Sequence, residues 1–261
     1  MKTFSDKTDD LDFFLNSKNF LKSKKKILPD GFKKNKTVNE VLDKLTTLTL
    51  FNLIKSKTIA YVNGVVRAGK ESVVFWAVSP DNNDIALKVY LVTTSSFKKR
   101  ATYILGDPRF SRIKKGTRNL VYLWAKKEYQ NLTRCVRNSI PVVKPITVKN
   151  NVLALEFVGK DGIPAKTLVE SEVNGDDYKS AIRLIKQLYK KARLVHGDFS
   201  EYNIFKTENG LVLFDLGSAV DLEHPKAHEF LKRDIVNISN FFVRRGLTVK
   251  NPIDIINEVT K

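Results

Sequence analysis

Cysteine and methionine each occur once in this 261-residue chain, and tryptophan twice. The lone Cys135 cannot close an internal disulfide, and it has no His or Cys companions at metal-ligand spacing. No apolar run approaches the ~20 residues that a membrane-spanning helix needs. The opening Met1-Lys2-Thr3-Phe4-Ser5-Asp6 lacks the apolar core of a secretory leader. These absences predict a soluble, reduced, cytoplasmic protein. Acids are also scarce: 28 Asp and Glu face 46 Lys and Arg, a formal charge of +18. Such a surplus favours polyanionic partners. It is concentrated between Ser95 and Lys149, where fourteen Lys and Arg meet only two acids, Asp107 and Glu128. The same stretch carries Phe97, Tyr103 and Phe110, so it is expected to form a contact surface for RNA.

The apolar fraction, 42%, suffices for a sizeable core. Residues 1–36 are polar and lysine-rich and read as a loosely ordered basic arm. Residues 37–158 read as N-terminal helices plus a β-rich lobe, and 159–261 as a helical lobe. Thr37-Val38-Asn39-Glu40 has the spacing of a capping box and opens a helical pattern through Val38, Val41, Leu42 and Leu45. Leu48 to Ile54 reads as a second helix. Strands are predicted at 59–66, 72–78 and 85–92, where β-branched and aromatic residues crowd, with a turn over 79–84. A flexible basic insert follows at about 93–118, broken by Gly106-Asp107-Pro108 and Gly116. Further expectations are a helix over 120–136, strands at 146–148 and 152–158, a helix over 178–193, a strand at 211–215 and a helix over 230–245. Strands first and helices later argue an α+β, two-lobed domain.

Gly64-Val65-Val66-Arg67-Ala68-Gly69-Lys70 copies the first seven positions of a P-loop. Glu71 stands where that loop needs Ser or Thr, and Ser72 opens a strand rather than a helix, so a P-loop is rejected. A glycine loop between antiparallel strands that covers phosphates is the protein-kinase arrangement. Lys88 lies among apolar residues on the third strand, where kinases place the lysine that meets the α- and β-phosphates. A buried ammonium needs a partner, and Glu128 is the only acid in the helix over 120–136. His196-Gly197-Asp198 is followed by Asn203 and then by Asp215-Leu216-Gly217. The step from Asp198 to Asn203 is that of a kinase catalytic loop, in which the aspartate handles the nucleophile's proton and the asparagine binds metal. Asp215, before Leu216-Gly217, matches the D-x-G position that carries the bridging metal ions. His196, His224 and His228 are read as structural or surface residues. Position 197 is glycine where regulated kinases carry arginine, no Ala-Pro-Glu run occurs, and only about a dozen residues separate Gly217 from the next helix. Little room remains for an activation segment or peptide-docking helices, so the expected fold is a protein-kinase-like one with a reduced C-lobe.

These residues resemble the RIO family of atypical serine kinases, most closely its first subfamily, from about Val41 to Arg245. Arg67-Ala68-Gly69-Lys70-Glu71-Ser72 is similar to that family's Ser-Thr-Gly-Lys-Glu-Ala phosphate loop, without the Ser-Thr pair. Trp124-Ala125-Lys126-Lys127-Glu128 through Asn131-Leu132 resembles its W-A-x-K-E-x-x-N-L helix. Leu155-Glu156-Phe157-Val158 through Ala165 resembles its hinge, and His224-Pro225 with Glu229 to Ile235 and Phe241-Phe242 its C-terminal signature. The compact length resembles archaeal members. The resemblance implies ATP with Mg²⁺ or Mn²⁺ and autophosphorylation on serine. It also implies ATP hydrolysis with an aspartyl-phosphate at Asp215, and a role in maturing the small ribosomal subunit, whose precursor RNA would meet the basic surface. It assigns nucleotide contacts to Gly69, Lys70, Glu71, Ser72, Lys88, Glu128, Glu156 and Val158, metal to Asn203 and Asp215, and chemistry to Asp198 and Asp215. Ser95, Ser96 and Ser111 are candidate acceptors.

Two rivals share the motif. Aminoglycoside and choline phosphotransferases also use His-Gly-Asp-x4-Asn, but their cationic substrates require acid-lined clefts, whereas 218–233 is mixed in charge and the insert is basic. A pseudokinase that only binds RNA would not be expected to keep Lys88, Asp198, Asn203 and Asp215 together.

Overall fold

A computed structural model describes residues 42–92, 101–110 and 116–261. The chain divides into two compact units: residues up to 94 with 146–163, and 95–145 with 164–261.

The first unit is a five-stranded sheet with one helix. Helix α1 spans Lys44–Lys55, and the Asp43 side chain caps it by accepting from the Thr46 amide at 2.7 Å. Leu45 and 48–54 therefore share one helix rather than two, and the proposed start at Thr37 to Glu40 lies outside the described residues, as does the arm over 1–36. The strands are β1 (Tyr61–Ala68), β2 (Ser72–Val78), β3 (Asp84–Tyr90), β4 (Pro145–Lys149) and β5 (Val152–Glu156), in the order β1-β2-β3-β5-β4. Val73, Phe75 and Ala77 of β2, Ile85, Leu87 and Val89 of β3, and Val152 and Ala154 of β5 point to one face, where Leu50 and Leu53 of α1 cover them. Strand period two then sends Lys88 to the opposite face. Two asparagines stitch the helix to the β4–β5 turn: Asn150 Nδ2 donates to Thr49 Oγ1, and Asn151 Nδ2 to Thr46 Oγ1, each at 2.9 Å.

The second unit is mainly helical: α2 (Thr117–Arg137), α3 (Gly175–Lys190), α4 (Ala227–Arg244) and α5 (Pro252–Thr260). Helix α3 begins three residues before its first apolar contact because Asn174 caps it, accepting from the amides of Asp176 and Asp177 while Asp177 returns a bond to the Asn174 amide. It stops at Lys190, short of the expected 193. Helix α5 is additional to the expected elements. Its signals are Asn251 as the cap and Pro252 at the first helical position. The strand expected over 211–215 is Gly210–Leu213, paired with Ile204–Thr207, while Leu194–Val195 pairs with Val220–Asp221.

The described part of the insert departs from a flexible loop. Residues Ala101–Tyr103 and Pro108–Phe110 form single 3-10 turns, and Ile104, Asp107 and Phe110 are buried. The Nε2–H of His224 lies 3.0 Å from the carbonyls of both Thr102 and Leu105, and the Tyr103 ring packs 5.0 Å from that of Phe230. Apolar side chains and one carboxylate in a basic run give this stretch something to bury, which composition alone conceals. Ser95, Ser96 and Ser111 lie outside the described residues.

Candidate active site

The two units carry separate parts of the expected site. In the first, Gly69, Lys70 and Glu71 form the turn between β1 and β2, closed by the Gly69 amide donating to the Ser72 carbonyl at 2.9 Å. Lys70 is exposed and Ser72 opens β2, as a phosphate-covering hairpin requires. Lys88 is buried opposite Val74 of β2, with its ammonium 5.3 Å from the Tyr90 ring centre. Glu156 ends β5 and Val158 follows it. Beside this hinge lies a groove lined in part by Tyr61, Trp76, Asp84, Glu156 and Phe157. Asp84 shapes it, accepting from Trp76 Nε1 at 2.7 Å and from the Asp161 amide at 3.2 Å.

In the second unit the strand Leu194–Val195 leads into the loop that carries Asp198 and Asn203. Asp198 is exposed, and Asn203 Nδ2 donates to its carbonyl at 2.9 Å and to its Oδ2 at 3.2 Å. With Nδ2 so engaged, the amide oxygen is the Asn203 atom that suits a hard cation. The Asn203 carbonyl in turn accepts from the Phe214 amide at 3.0 Å, which sets Asp215 beside it. Asp215 adopts φ 60°, ψ 60°, a left-handed conformation uncommon for a residue with a side chain. Asn203 and Asp215 thus offer two hard oxygen donors on adjoining backbone, a set that fits Mg²⁺ or Mn²⁺. Glu128 is fully buried on α2.

The loop's shape depends on residues to which the sequence assigned no role. The Asp234 carboxylate, buried in α4, accepts from the amides of Gly197 at 2.7 Å and Phe199 at 3.0 Å. Burial pushes its pKa up to about 7, against the pull of those two amides and of Arg233. Arg233 donates to the Gly197 carbonyl and, at 3.1 Å, to the Tyr103 hydroxyl. Glu201 is held by Arg244 at 3.0 Å. Gly197 itself is dictated by space. Its φ is +75°, and a Cβ there would sit 2.8 Å from the Ser218 carbonyl oxygen. Gly217 is equally constrained, since a Cβ would meet the Trp124 ring at 2.7 Å. The absence of arginine before Asp198 therefore has a steric cause in this chain.

Helix α2 supports the segment after Asp215. Lys127 is wholly buried, and its ammonium donates to the Gly217 carbonyl at 2.9 Å and to that of Ala219. Burial lowers its pKa to about 7, with Asp107 and Glu128 opposing. Asn131 Nδ2 donates to the carbonyls of Leu216 and Ala219 at 2.8 and 2.9 Å. A cation on the apolar stripe of α2, beside Trp124, Leu132 and Cys135, is the signal by which Lys127 stands out.

Residues 73–254 match the family model of the RIO domain. The chain belongs to the RIO family. Similar relatives include the RIO-type serine/threonine-protein kinase Rio1 of Methanocaldococcus jannaschii, 41% identical over 87% of this chain and 77% of the relative. The serine/threonine-protein kinase RIO1 of Caenorhabditis elegans is 37% identical over 82% of this chain. The chain spans 43% of that relative and 38% of the Dictyostelium discoideum rio1 kinase. Among solved structures, the Rio2 kinase of Chaetomium thermophilum in its ADP/Mg²⁺-phosphoaspartate complex superposes with a TM-score of 0.63. That match is 22% identical, covers 82% of this chain and 66% of the other, and shows a shared kinase-like fold.

In this RIO chain His196 is a structural group, packed edge-on at 5.6 Å against the Phe199 ring. Burial lowers its pKa to about 4, with the Asp215 charge opposing. The unfolded imidazole takes up a proton near its ordinary pKa of ~6.5, whereas the buried one resists until about 4. Stability from this group is present above that ordinary value and is lost as pH falls through the window. Thermal melting from pH 7 to 4 is therefore expected to show a smaller stability loss in His196→Gln than in the parent chain. Equal slopes would remove His196 from the account.

Proposed function

We propose that this chain is an ATP-dependent serine protein kinase and ATPase of the RIO type. The observation that carries the reading is the Asp198–Asn203 contact beside Asp215, on a RIO-family fold. Asp198 takes the proton of a serine hydroxyl as its oxygen attacks the γ-phosphorus and the bridge to the β-phosphate breaks, releasing ADP. Asn203 and Asp215 would hold Mg²⁺ or Mn²⁺, which would offset the charge of the phosphates. Lys88, with Glu128, steadies the α- and β-phosphates, the turn Gly69-Lys70-Glu71-Ser72 covers them, and the hinge backbone at Glu156 and Val158 meets adenine. Transfer to Asp215 itself, giving an aspartyl-phosphate that water then hydrolyses, is the proposed ATPase route. The Rio2 complex with phosphoaspartate supports it by kinship of fold. Autophosphorylation on serine, action in the cytoplasm and maturation of the small ribosomal subunit rest on the family resemblance.

The partner reading gains support from a described surface. Lys179, Arg183, Lys186 and Lys190 are exposed on α3 at positions i, i+4, i+7 and i+11, so they share one helix face. From Tyr178 to Arg193 the sequence carries six cations and no acid. Asp176 reaches Lys179 at 3.1 Å, and the other three have no acid in their own stretch of helix. The proposed partner is ribosomal RNA, met through its phosphates.

Asp198→Ala is expected to cut phosphate transfer to serine by about 10²–10⁴-fold, with ATP affinity within a few-fold of the parent. Asp215→Ala should instead weaken metal-nucleotide binding. Normal autophosphorylation by Asp198→Ala would remove it from the chemistry. Affinity for small-subunit RNA should fall as salt rises. Replacing Arg183, Lys186 and Lys190 by Gln should flatten the log–log slope by ~0.7 for each single-stranded phosphate that the chain then leaves unneutralised. Salt-independent binding would contradict the reading.

A further inference from the structure

The segment after the left-handed Asp215 is held from α2, and that support runs into the basic insert. Just after Asp215, the carbonyls of Leu216, Gly217 and Ala219 all accept from side chains of α2. Asn131 supplies two of those bonds through Nδ2. A carboxamide presents either face with nearly the same shape, so something must fix which end points at the carbonyls. Arg109 does this: its Nη1 donates to Asn131 Oδ1 at 2.8 Å. With a donor held against the oxygen, Nδ2 is turned to Leu216 and Ala219. A flipped amide would set oxygen against two carbonyl oxygens and NH₂ against a guanidinium.

Arg109 is itself fixed by the insert. Its Nε and Nη2 form a two-pronged contact with the Asp107 carboxylate at 2.9 and 2.6 Å. The Asp107 side chain is fully buried, and Arg109 holds its pKa below the ordinary carboxylate value against the upward push of burial. Asp107 also favours the charged form of the buried Lys127. One turn of the insert therefore orients Asn131 by a direct hydrogen bond and acts on the neighbouring Lys127 by charge alone, Asp107 favouring and Arg109 opposing its charged form.

We propose that Arg109 is a positioning residue for metal binding at Asp215, acting through the Asn131 carboxamide, and that the turn Asp107–Phe110 is a working part of the site. This rests on the reading of Asp215 as a metal ligand. It gives the insert a role besides that of a basic contact surface.

The test measures binding of a non-hydrolysable ATP analogue by calorimetry, with and without Mn²⁺, in the parent chain, Arg109→Ala, Arg109→Lys and Asn131→Asp. Melting temperatures report folding alongside. Residues that orient a metal's ligands cost ~10–100-fold in metal affinity when removed. All three variants are expected to lose at least about tenfold of the Mn²⁺-dependent enhancement, in line with that range, while metal-free affinity stays within about twofold. Lysine is not expected to rescue, because it cannot grip Asp107 with two prongs and reach Asn131 as well. His224→Gln, which loosens the other end of the insert turn, should leave the enhancement intact. An unchanged enhancement in folded Arg109→Ala would overturn the inference, as would an equal loss in His224→Gln. A parent chain indifferent to Mn²⁺ would instead overturn the metal reading of Asp215 itself.

Discussion

One buried carboxylate organises the loop that carries Asp198. Asp234 bonds the amides of Gly197 and Phe199, the residues on either side of Asp198, and so holds that loop by its backbone while the Asp198 side chain stays exposed. Removing it would strand two amides in a buried setting, which costs more than the bonds themselves are worth. The neighbouring constraints follow from the same backbone path. Gly197 must be glycine because the Ser218 carbonyl passes close by, and Arg233 closes the remaining carbonyl of the turn. The loop's geometry is thus imposed from behind, by α4, leaving the Asp198 side exposed.

The D-x-G segment is built on the same plan with opposite polarity. There the backbone presents carbonyls instead of amides, and the partners are donors: Lys127, Asn131 and, at one remove, Arg109. The Asp234 carboxylate, with Arg233 on the carbonyl side, holds the loop that carries Asp198, and donor side chains hold the segment after Asp215. Buried charges of this kind are expensive unless fully bonded. Here their cost is offset by several hydrogen bonds apiece.

Much of the molecule was legible in the sequence. The strands of the first unit announce themselves through β-branched and aromatic runs, and the β1–β2 turn through Gly69 followed by a strand rather than a helix. The spacing of Asp198, Asn203 and Asp215 was legible, and the structure brings the three onto adjoining backbone. What escaped is held by long-range burial. Ile104, Asp107 and Phe110 looked like parts of a basic loop, because nothing local shows that this stretch meets His224 through the Thr102 and Leu105 carbonyls and Asn131 through Arg109. Lys127 and Asn131 stand in the sequence only as letters of a motif, and their task depends on carbonyls about ninety residues away. Asp234 likewise carries no local sign of the two amides it holds. The Asn251 cap and Pro252 were readable signs of α5 that the apolar pattern before them overshadowed.

The central claim is that this RIO-family chain moves the γ-phosphoryl group of ATP. The most direct measurement incubates the purified chain with γ-labelled ATP and Mg²⁺, then separates label on serine from label on a hydroxylamine-labile carboxylate. The account predicts ADP release with label on serine, together with a labile fraction that disappears on chase. Neither ADP nor protein-bound label from a folded, nucleotide-binding chain would contradict it.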